Sequence, residues 1–396
     1  MTTAACAPLP LGLLIDRSKS PRWAGALFAA GTALGFALLA ISEYPDRNYF
    51  SLGFGLFSFF GSGVQLNLFH VANLFPQGKG LVMGLFTTLF GFSALLPLFF
   101  FYIWEAMDDP DNARRVLFLW FSAVLGAFVL FALSVGDFYA DGDRLAFSSR
   151  GFRRLAPAAE AGAEAEGEGE GAEAQPARRS LRADLTSPDF LAFLAFFSLH
   201  FFRSIFYLGT VDLQLASIAG PESPSREHYV AVNGWIKPFG TLAGPPIGHV
   251  IHKNKHGTAI CAAMVVLVSA VHGGAAMAGV LELMPLSFAG ATLAEEGVVT
   301  ILFAFIQDHF GFDNFGTLTG FVLFVNGGVA MLVYPLTNLI VDAHADGALD
   351  GEAAVPFGVW RWCWGGFLVL TLASAAYPVW LFRRTKTGDA KPTAKP

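Results

Sequence analysis

Ten long apolar segments dominate this chain and restrict most strongly what it can fold into. Each has about the 20 residues that an α-helix needs to cross a bilayer, and a shorter apolar stretch at 4–15 precedes them. Only 14% of the 396 residues are charged, against about 25% in a soluble domain. The sequence therefore predicts an all-α polytopic membrane protein. The predicted spans are 23–42, 50–75, 81–104, 116–136, 190–217, 229–251, 259–281, 283–306, 316–341 and 357–382.

The segment 137–187 differs from the rest of the chain. It contains an Ala/Glu/Gly repeat flanked by arginines, a composition that cannot bury a core, so we expect a disordered, acidic linker. This linker divides the chain into an incomplete N-terminal half-bundle at 1–136 and a C-terminal six-helix bundle at 188–384. A polar tail follows at 385–396.

Basic residues predict the orientation of the chain in its membrane. Most of the 25 lysines and arginines lie on one side, in the loops after residues 15, 75, 136 and 251 and in the tail. Because cytosolic loops carry an excess of Lys and Arg, we expect the central linker and the C-terminus to face the cytosol. The pattern leaves open whether the membrane is the plasma membrane or that of an organelle.

An internal repeat appears when the sequence is shifted by 236 positions. Two separate parts of the chain align at this shift, which indicates two homologous halves, as in many transporters. The aligned pairs are Pro10 and Pro246, Gly12 and Gly248, Asp16 and His252, Gly84 and Gly320, and Gly91 and Gly327. The span 190–217 then maps before Met1, so we expect the first half to lack its first helix and part of its second. A truncated gene model and a degenerate protein are the alternatives.

The loop between the first two apolar segments contains a recognisable pattern. Gly12, three apolar residues, Asp16 and Arg17, followed by Lys19 and Arg22, resemble the signature of the major facilitator superfamily. The resemblance implies a fold of two six-helix pseudo-repeats and a conformational latch. Gly12 would allow close helix approach, Asp16 would meet the positive end of the helix near residue 316, and Arg17 would pair with a carboxylate. The alternative is a basic loop that only sets topology.

Three further stretches suggest a narrower resemblance. Residues 73–84, 202–214 and 310–320 resemble the large-neutral-amino-acid facilitators (solute carrier family forty-three) and their fungal relatives. This resemblance implies a neutral amino acid as substrate and a cavity lined by the first, fourth, seventh and tenth helices of the complete fold. Of these we expect the first to be missing here, and the other three are the spans 50–75, 190–217 and 283–306, with 229–251 as the eighth helix. Glu295, Glu296 and Lys237 depart from the pattern expected of that group.

The predicted seventh helix carries a polar stripe. Its members are spaced by three and four residues, so they share one helix face: His200, Arg203, Tyr207, Thr210 and Gln214. We expect this face to line the cavity, with Arg203 meeting a substrate carboxylate. A structural ion pair with a neighbouring helix is the alternative.

Two other helices carry polar candidates for substrate binding. In the fourth helix, Gln65, Asn67 and His70 either line the path or make hydrogen bonds between helices. In the eighth, Asn233 and Lys237 belong to a polar stripe. The lysine could pair with one of the glutamates of the tenth helix, extend towards water or contact the substrate.

Glu295 and Glu296 fall in the middle of the predicted span 283–306, the tenth helix of the complete fold. Charged groups at that depth are costly and usually functional. A buried carboxylate without a cation partner can carry a proton, which would make transport proton-coupled. The alternative is that the span is displaced by a turn and both groups lie near water.

The sequence contains no phosphate-binding loop, metal-ligand cluster or nucleophile motif, so no enzyme activity, cofactor, metal or nucleic-acid partner is expected. The predicted function is transport of a small organic solute by alternating access, with neutral amino acids as the first candidate substrate. One alternative is a proton-coupled transporter of another solute, such as a monocarboxylate. Another is a non-transporting sensor or scaffold with the same fold. The bilayer is the only other partner implied, and the oligomeric state is open.

Overall fold

The computed structural model describes residues 6–18, 21–43, 48–75, 78–106, 110–134, 144–148, 151–155, 180–311, 314–345 and 355–387. These residues are almost entirely helical, because a helix satisfies every backbone polar group within one segment in lipid. The first half contains α1 (Pro8–Arg17), α2 (Pro21–Ile41), α3 (Phe50–Phe69), α4 (Lys79–Phe92), α5 (Leu96–Ala106) and α6 (Pro110–Ser134). The second contains α7 (Leu181–Leu185), α8 (Pro188–Ala219), α9 (Pro224–Gly240), α10 (Gly244–Lys253), α11 (Gly257–Ala278), α12 (Met284–Phe310), α13 (Phe315–Ala330), α14 (Val333–Ala345), α15 (Phe357–Ala373) and α16 (Ala376–Thr387).

Eight helical segments of the described chain are long and apolar enough to cross a membrane. The two other predicted spans, 81–104 and 229–251, are interrupted by single 3₁₀ turns at Ser93–Leu95 and Thr241–Ala243. A similar interruption separates α13 from α14. Breaks of this kind are tolerated in a membrane where neighbouring groups satisfy the freed carbonyls. The hydroxyl of Thr88 does this for the carbonyl of Thr241, at 2.7 Å.

The segment predicted as a disordered linker contains ordered structure at both ends. An antiparallel hairpin joins β1 (Arg144–Ser148) to β2 (Gly151–Leu155). At the other end, Ser180 caps α7, and the buried Asp184 accepts a hydrogen bond from Asn314 Nδ2 at 3.0 Å. The ordered second half therefore begins at about residue 180 rather than 188, because α7 docks against it. The acidic repeat at 156–179 and the tail from 388 lie outside the described residues.

The two halves meet at two helix crossings. The shift of 236 positions that relates the halves in sequence maps the residues of one crossing onto those of the other. In the first crossing, α1 approaches α13 so closely that a Cβ on Gly12 would overlap the carbonyl oxygen of Gly316. In the second, α4 approaches α10, and a Cβ on Gly80 would overlap the carbonyl oxygen of Gly248. Small residues at both crossings let the backbones touch. We call these two crossings the glycine crossings.

Candidate functional site

The carboxylate of Asp16 lies at the first glycine crossing and caps α13. Its two oxygens accept the backbone N–H groups of Gly316, at 2.9 Å, and of Thr317, at 2.6 Å. These amides are unsatisfied donors at the positive end of a helix. The resemblance to the superfamily signature implied a contact of Asp16 with this end of the helix. Arg17 is exposed, and no carboxylate of the described residues forms an ion pair with it.

Aromatic packing closes the seam between the halves near the Asp16 cap. The rings of Phe69 on α3 and Phe303 on α12 are stacked, with centroids 3.8 Å apart. Phe315, at the start of α13, packs edge-on against Phe69, and His70 packs against Phe315 at 5.6 Å. His70 therefore lies at the seam. The sequence reasoning missed Phe69, because a phenylalanine in a Phe-rich run carries no signal of its own.

The other two polar candidates on the predicted span 50–75 do not join His70. Gln65 lines a cavity of about 320 Å³ between α3 and α4, with Phe86 among its neighbours. Asn67 turns towards α2, where a Cβ on Gly25 would contact its side-chain amide. The three polar residues of this span therefore contact different neighbours.

The polar stripe of α8 faces the interior of the second half. His200 contacts Ser374 Oγ through Nε2, at 3.1 Å, and Ser269 Oγ through Nδ1, at 3.2 Å. Gln214 accepts a hydrogen bond from the indole N–H of Trp364 at 2.8 Å. The hydroxyl of Tyr207 donates to Asn233 Oδ1 at 3.0 Å. These side chains join α8 to α9, α11, α15 and the turn that follows α15.

Arg203 is the exception in this stripe. Its side chain is buried, with a relative exposure of 2%, and none of its three guanidinium nitrogens has a hydrogen-bond partner among the described residues. It lies close enough to Glu295 for electrostatic attraction. Glu295 itself contacts the ammonium group of Lys237 at 3.8 Å. Three charged side chains from α8, α9 and α12 thus form one group, which we call the charged triad.

His272 on α11 lies beside this triad and was not predicted as a site residue. Its Nδ1 lies 2.9 Å from the carbonyl oxygen of Ser287, and its ring packs edge-on against Tyr207, at 4.8 Å, and Trp364, at 4.7 Å. Since Nδ1 must donate to a carbonyl, Nε2 of the neutral ring is an acceptor. A histidine in an apolar span was the available signal, and its neighbours come from distant segments.

Glu296 points away from the triad, towards the seam between the halves. Its side chain is buried, and the hydroxyl of Thr300 lies 3.5 Å from Oε1. The same hydroxyl lies 3.2 Å from the hydroxyl of Thr87 on α4. No cation of the described chain forms an ion pair with Glu296. The two adjacent glutamates therefore lie in different surroundings.

Comparisons with known proteins bear on the fold. No protein-family model matches the chain, and no curated protein matches it. Solved structures do match. The E. coli fucose:proton symporter FucP, solved also as a Major Facilitator Superfamily transporter in the outward conformation, has a TM-score of 0.58 at 14% identity, over 94% of this chain and 88% of that one.

A second similar structure is the human organic anion transporter MFSD10 (TETRAN). It has a TM-score of 0.54 at 18% identity, over 94% of this chain and 81% of that one. These two structures are of a fucose symporter and an organic anion transporter. The narrower resemblance to the amino-acid facilitators therefore stays a prediction. At such low identity the likeness concerns the fold. The chain has the fold of the major facilitator transporters, as the resemblance of the pattern at residues 12–22 implied.

Proposed function

We propose that this chain is a membrane transporter of a small organic solute that works by alternating access. The observation that carries this proposal is the pair of equivalent glycine crossings, which join the two halves at the end of the basic loops. Backbone contacts between small residues have no interlocked side chains to hold them, so the halves can separate there. Rocking of two repeats about a central site is the general mechanism of such folds.

The conformation described here is closed at the basic end of the molecule. The glycine crossings, the Asp16 cap on α13 and the stack of Phe69 on Phe303 all lie at that end. If the basic loops are cytosolic, as their charge predicts, this is the outward-facing state. The similarity to FucP in its outward conformation supports this interpretation.

The charged triad supports a substrate that carries a carboxylate. Burying a charge costs several kcal/mol, and the three guanidinium nitrogens of Arg203 have no hydrogen bond among the described residues that would offset this cost. Lys237 and Glu295 are about one-third exposed, so they can reach the substrate, with Arg203 behind them. The carboxylate would be attracted by the two cations, and an ammonium group by Glu295. This arrangement suits an amino acid.

An apolar pocket on the same helices would accept the side chain of that amino acid. Its volume is about 410 Å³, and only apolar residues and a glycine of α9 and α12 line it, among them Trp235, Phe239 and Leu293. Lys237 and Glu295 belong to the same two helices. Together the triad and the pocket favour a large neutral amino acid, the substrate class that the sequence suggested.

A proton-coupled transporter of an organic anion, such as a monocarboxylate, is the second candidate. The triad has one more positive than negative charge, which matches a mono-anion. The buried Glu296, without a cation among the described residues, offers a proton site. MFSD10, an organic anion transporter with a similar fold, agrees with this substrate class.

Uptake into liposomes tests both candidates and the non-transporting alternative. The purified chain would be reconstituted and given labelled leucine, phenylalanine or lactate, with and without a pH gradient. Amino-acid uptake at a rate that is independent of the pH gradient supports the first candidate. Lactate uptake driven by the proton gradient supports the second. If none of these solutes crossed, although spin labels showed the halves moving, a sensor or scaffold would be favoured.

A further inference from the structure

The two glycine crossings have equivalent glycines but differ in one side chain. At the first crossing, Asp16 follows Gly12 by about one turn and caps α13. At the second, the repeat places His252 at the equivalent position, after Gly248. A Cβ on Gly80, in the first turn of α4, would lie 2.7 Å from the Cβ of His252. A histidine therefore stands against the end of α4 where the repeat has the Asp16 cap against the end of α13.

The end of α4 that His252 meets is positive. The amides in the first turn of a helix have no partner within the helix, and together they act as about half a positive charge. No described side chain caps this turn with a hydrogen bond, and the turn contains no acidic residue. It contains Lys79 instead. A histidine cation is repelled here, whereas the carboxylate of Asp16 is attracted at the equivalent place.

We infer that His252 makes closure of the second glycine crossing dependent on pH: the neutral ring allows closure, and the protonated ring weakens it through repulsion from the end of α4 and from Lys79. The inference rests on the proposed alternating-access function, because it regulates the motion that this function needs. It also gives the two crossings unequal roles. An aspartate ordinarily ionises at about pH 4 and a histidine at about pH 6.5, so a histidine at this position responds in the physiological range.

The surroundings of His252 favour its neutral form while the crossing is closed. Its partial burial, the charge of Lys79 on α4 and that of His249 on its own helix hold the pKa of His252 below the ordinary value. The next residue, Lys253, is the last of α10 and adds another positive charge. The cations around this ring therefore come from both halves.

An acidic group of the second half also acts at this place. Asp308, near the end of α12, lies close enough to Lys79 for electrostatic attraction. From α11, the uncharged Gly257 packs against Ile251. Since Asp308 attracts Lys79 across the seam, its protonation would weaken closure too, and the experiment has to separate it from protonation of His252.

The direction of the response follows from these contacts. When the crossing parts, His252 leaves Lys79 and meets water, so its pKa returns towards the ordinary value. A group that binds its proton more weakly in the closed state favours closure above its ordinary pKa, and this effect is lost as the pH falls below that value. Acidification on the basic side should therefore shift the chain towards the parted state. The proton binds and leaves on one side of the membrane, and no proton crosses.

Distances between spin labels in liposomes measure this shift. Cysteines at the exposed positions 81 on α4 and 260 on α11, in a full chain without its native cysteines, report on the second crossing. We expect the parted population to rise roughly two- to five-fold on acidification from pH ~7.5 to ~5.5, the effect of one charge near a helix end. It should stay constant in His252→Gln. His228→Gln, which changes an exposed histidine near the start of α9, is the matched control and should keep the whole response.

Two further variants sharpen the test. His252→Asp gives the second crossing the carboxylate of the first, so its parted population should lie below that of the wild type and should not rise on acidification. Asp308→Asn should keep the response, since it leaves His252 in place. If His252→Gln kept the whole response, or if His252→Asp parted as readily as His252→Gln, the side chain at this position would not act on α4 and the inference would be overturned.

These readouts separate failure of the inference from failure of the transport proposal. A distance that depends on pH through His252, with no solute uptake, would leave the switch intact and remove the transport function. Solute uptake, with a distance that responds equally to pH in the wild type and in His252→Gln, would remove the switch alone.

Discussion

The carboxylate of Asp16 accepts the amide hydrogen of Gly316 across a sequence separation of 300 residues, at a distance of 2.9 Å. The second oxygen accepts that of Thr317. One side chain of the first half therefore caps a helix of the second. This contact exists only while the two halves touch at the basic end, so it links a local capping interaction to the global conformation.

Removing the charge of Asp16 should weaken the closed state. A charged cap at a helix N-terminus contributes about 1 kcal/mol, so we expect Asp16→Ala to raise the population of the parted state roughly five-fold. Spin-label distances across the first glycine crossing would measure this shift. Asp212→Asn, which breaks an exposed ion pair with Arg226 in the second half, is the control and should not change the distance.

Adding a side chain at a glycine crossing should prevent closure. A Cβ on Gly12 would overlap the carbonyl oxygen of Gly316, so Gly12→Leu should shift the population strongly towards the parted state and abolish uptake. Cross-linking of cysteines placed on α1 and α13 would report this. Gly61→Leu is the matched control, because nothing lies within 4 Å of its Cβ position. Equal cross-linking in both variants would contradict the proposed role of the crossing.

Replacing Arg203 should separate stability from function. Burial of a guanidinium group whose nitrogens make no hydrogen bond among the described residues lowers the stability of the fold, and Glu295 keeps Lys237 as a partner when Arg203 is replaced. We therefore expect Arg203→Met to raise the melting temperature in detergent while abolishing uptake. A lower melting temperature would instead indicate that Arg203 is a structural partner of Glu295. Unchanged uptake would remove the proposed carboxylate contact.

Breaking the contact between α7 and the second half should destabilise that half. Asn314→Ala leaves the buried carboxylate of Asp184 without its amide donor, and an unsatisfied buried group costs about 1–3 kcal/mol. Thermal unfolding in detergent would measure the loss. The double change Asp184→Ala with Asn314→Ala should recover part of it, since no unpaired charge then remains.

Several features of the fold could be predicted because they depend on local composition. The helices follow from apolar runs of the length that a bilayer requires. The start of the second half could not be predicted in this way. Residues 180–187 are polar and resemble the linker in composition, but Ser180 caps α7 and Asp184 is buried by contact with Asn314. A contact over such a separation leaves no periodic signal.

The candidate site shows the same division. A polar stripe at helical spacing identified Arg203, Tyr207 and Gln214, because helix geometry alone puts them on one face. Which neighbours this face meets was not contained in the spacing. The structure turns it towards Trp364 and His272 inside the second half, and only Arg203 is left without a hydrogen bond among the residues described.

By itself the sequence determined where the apolar segments lie, how the repeat relates them and which glycines recur at equivalent positions, since these depend on hydrophobicity and spacing along one chain. Only the tertiary structure decided that Glu295 faces Lys237 while Glu296 faces Thr300. Adjacent residues of a helix point about 100° apart, and the rotation of that helix is set by the neighbours that pack around it. The different roles proposed for these two carboxyl groups follow from that packing.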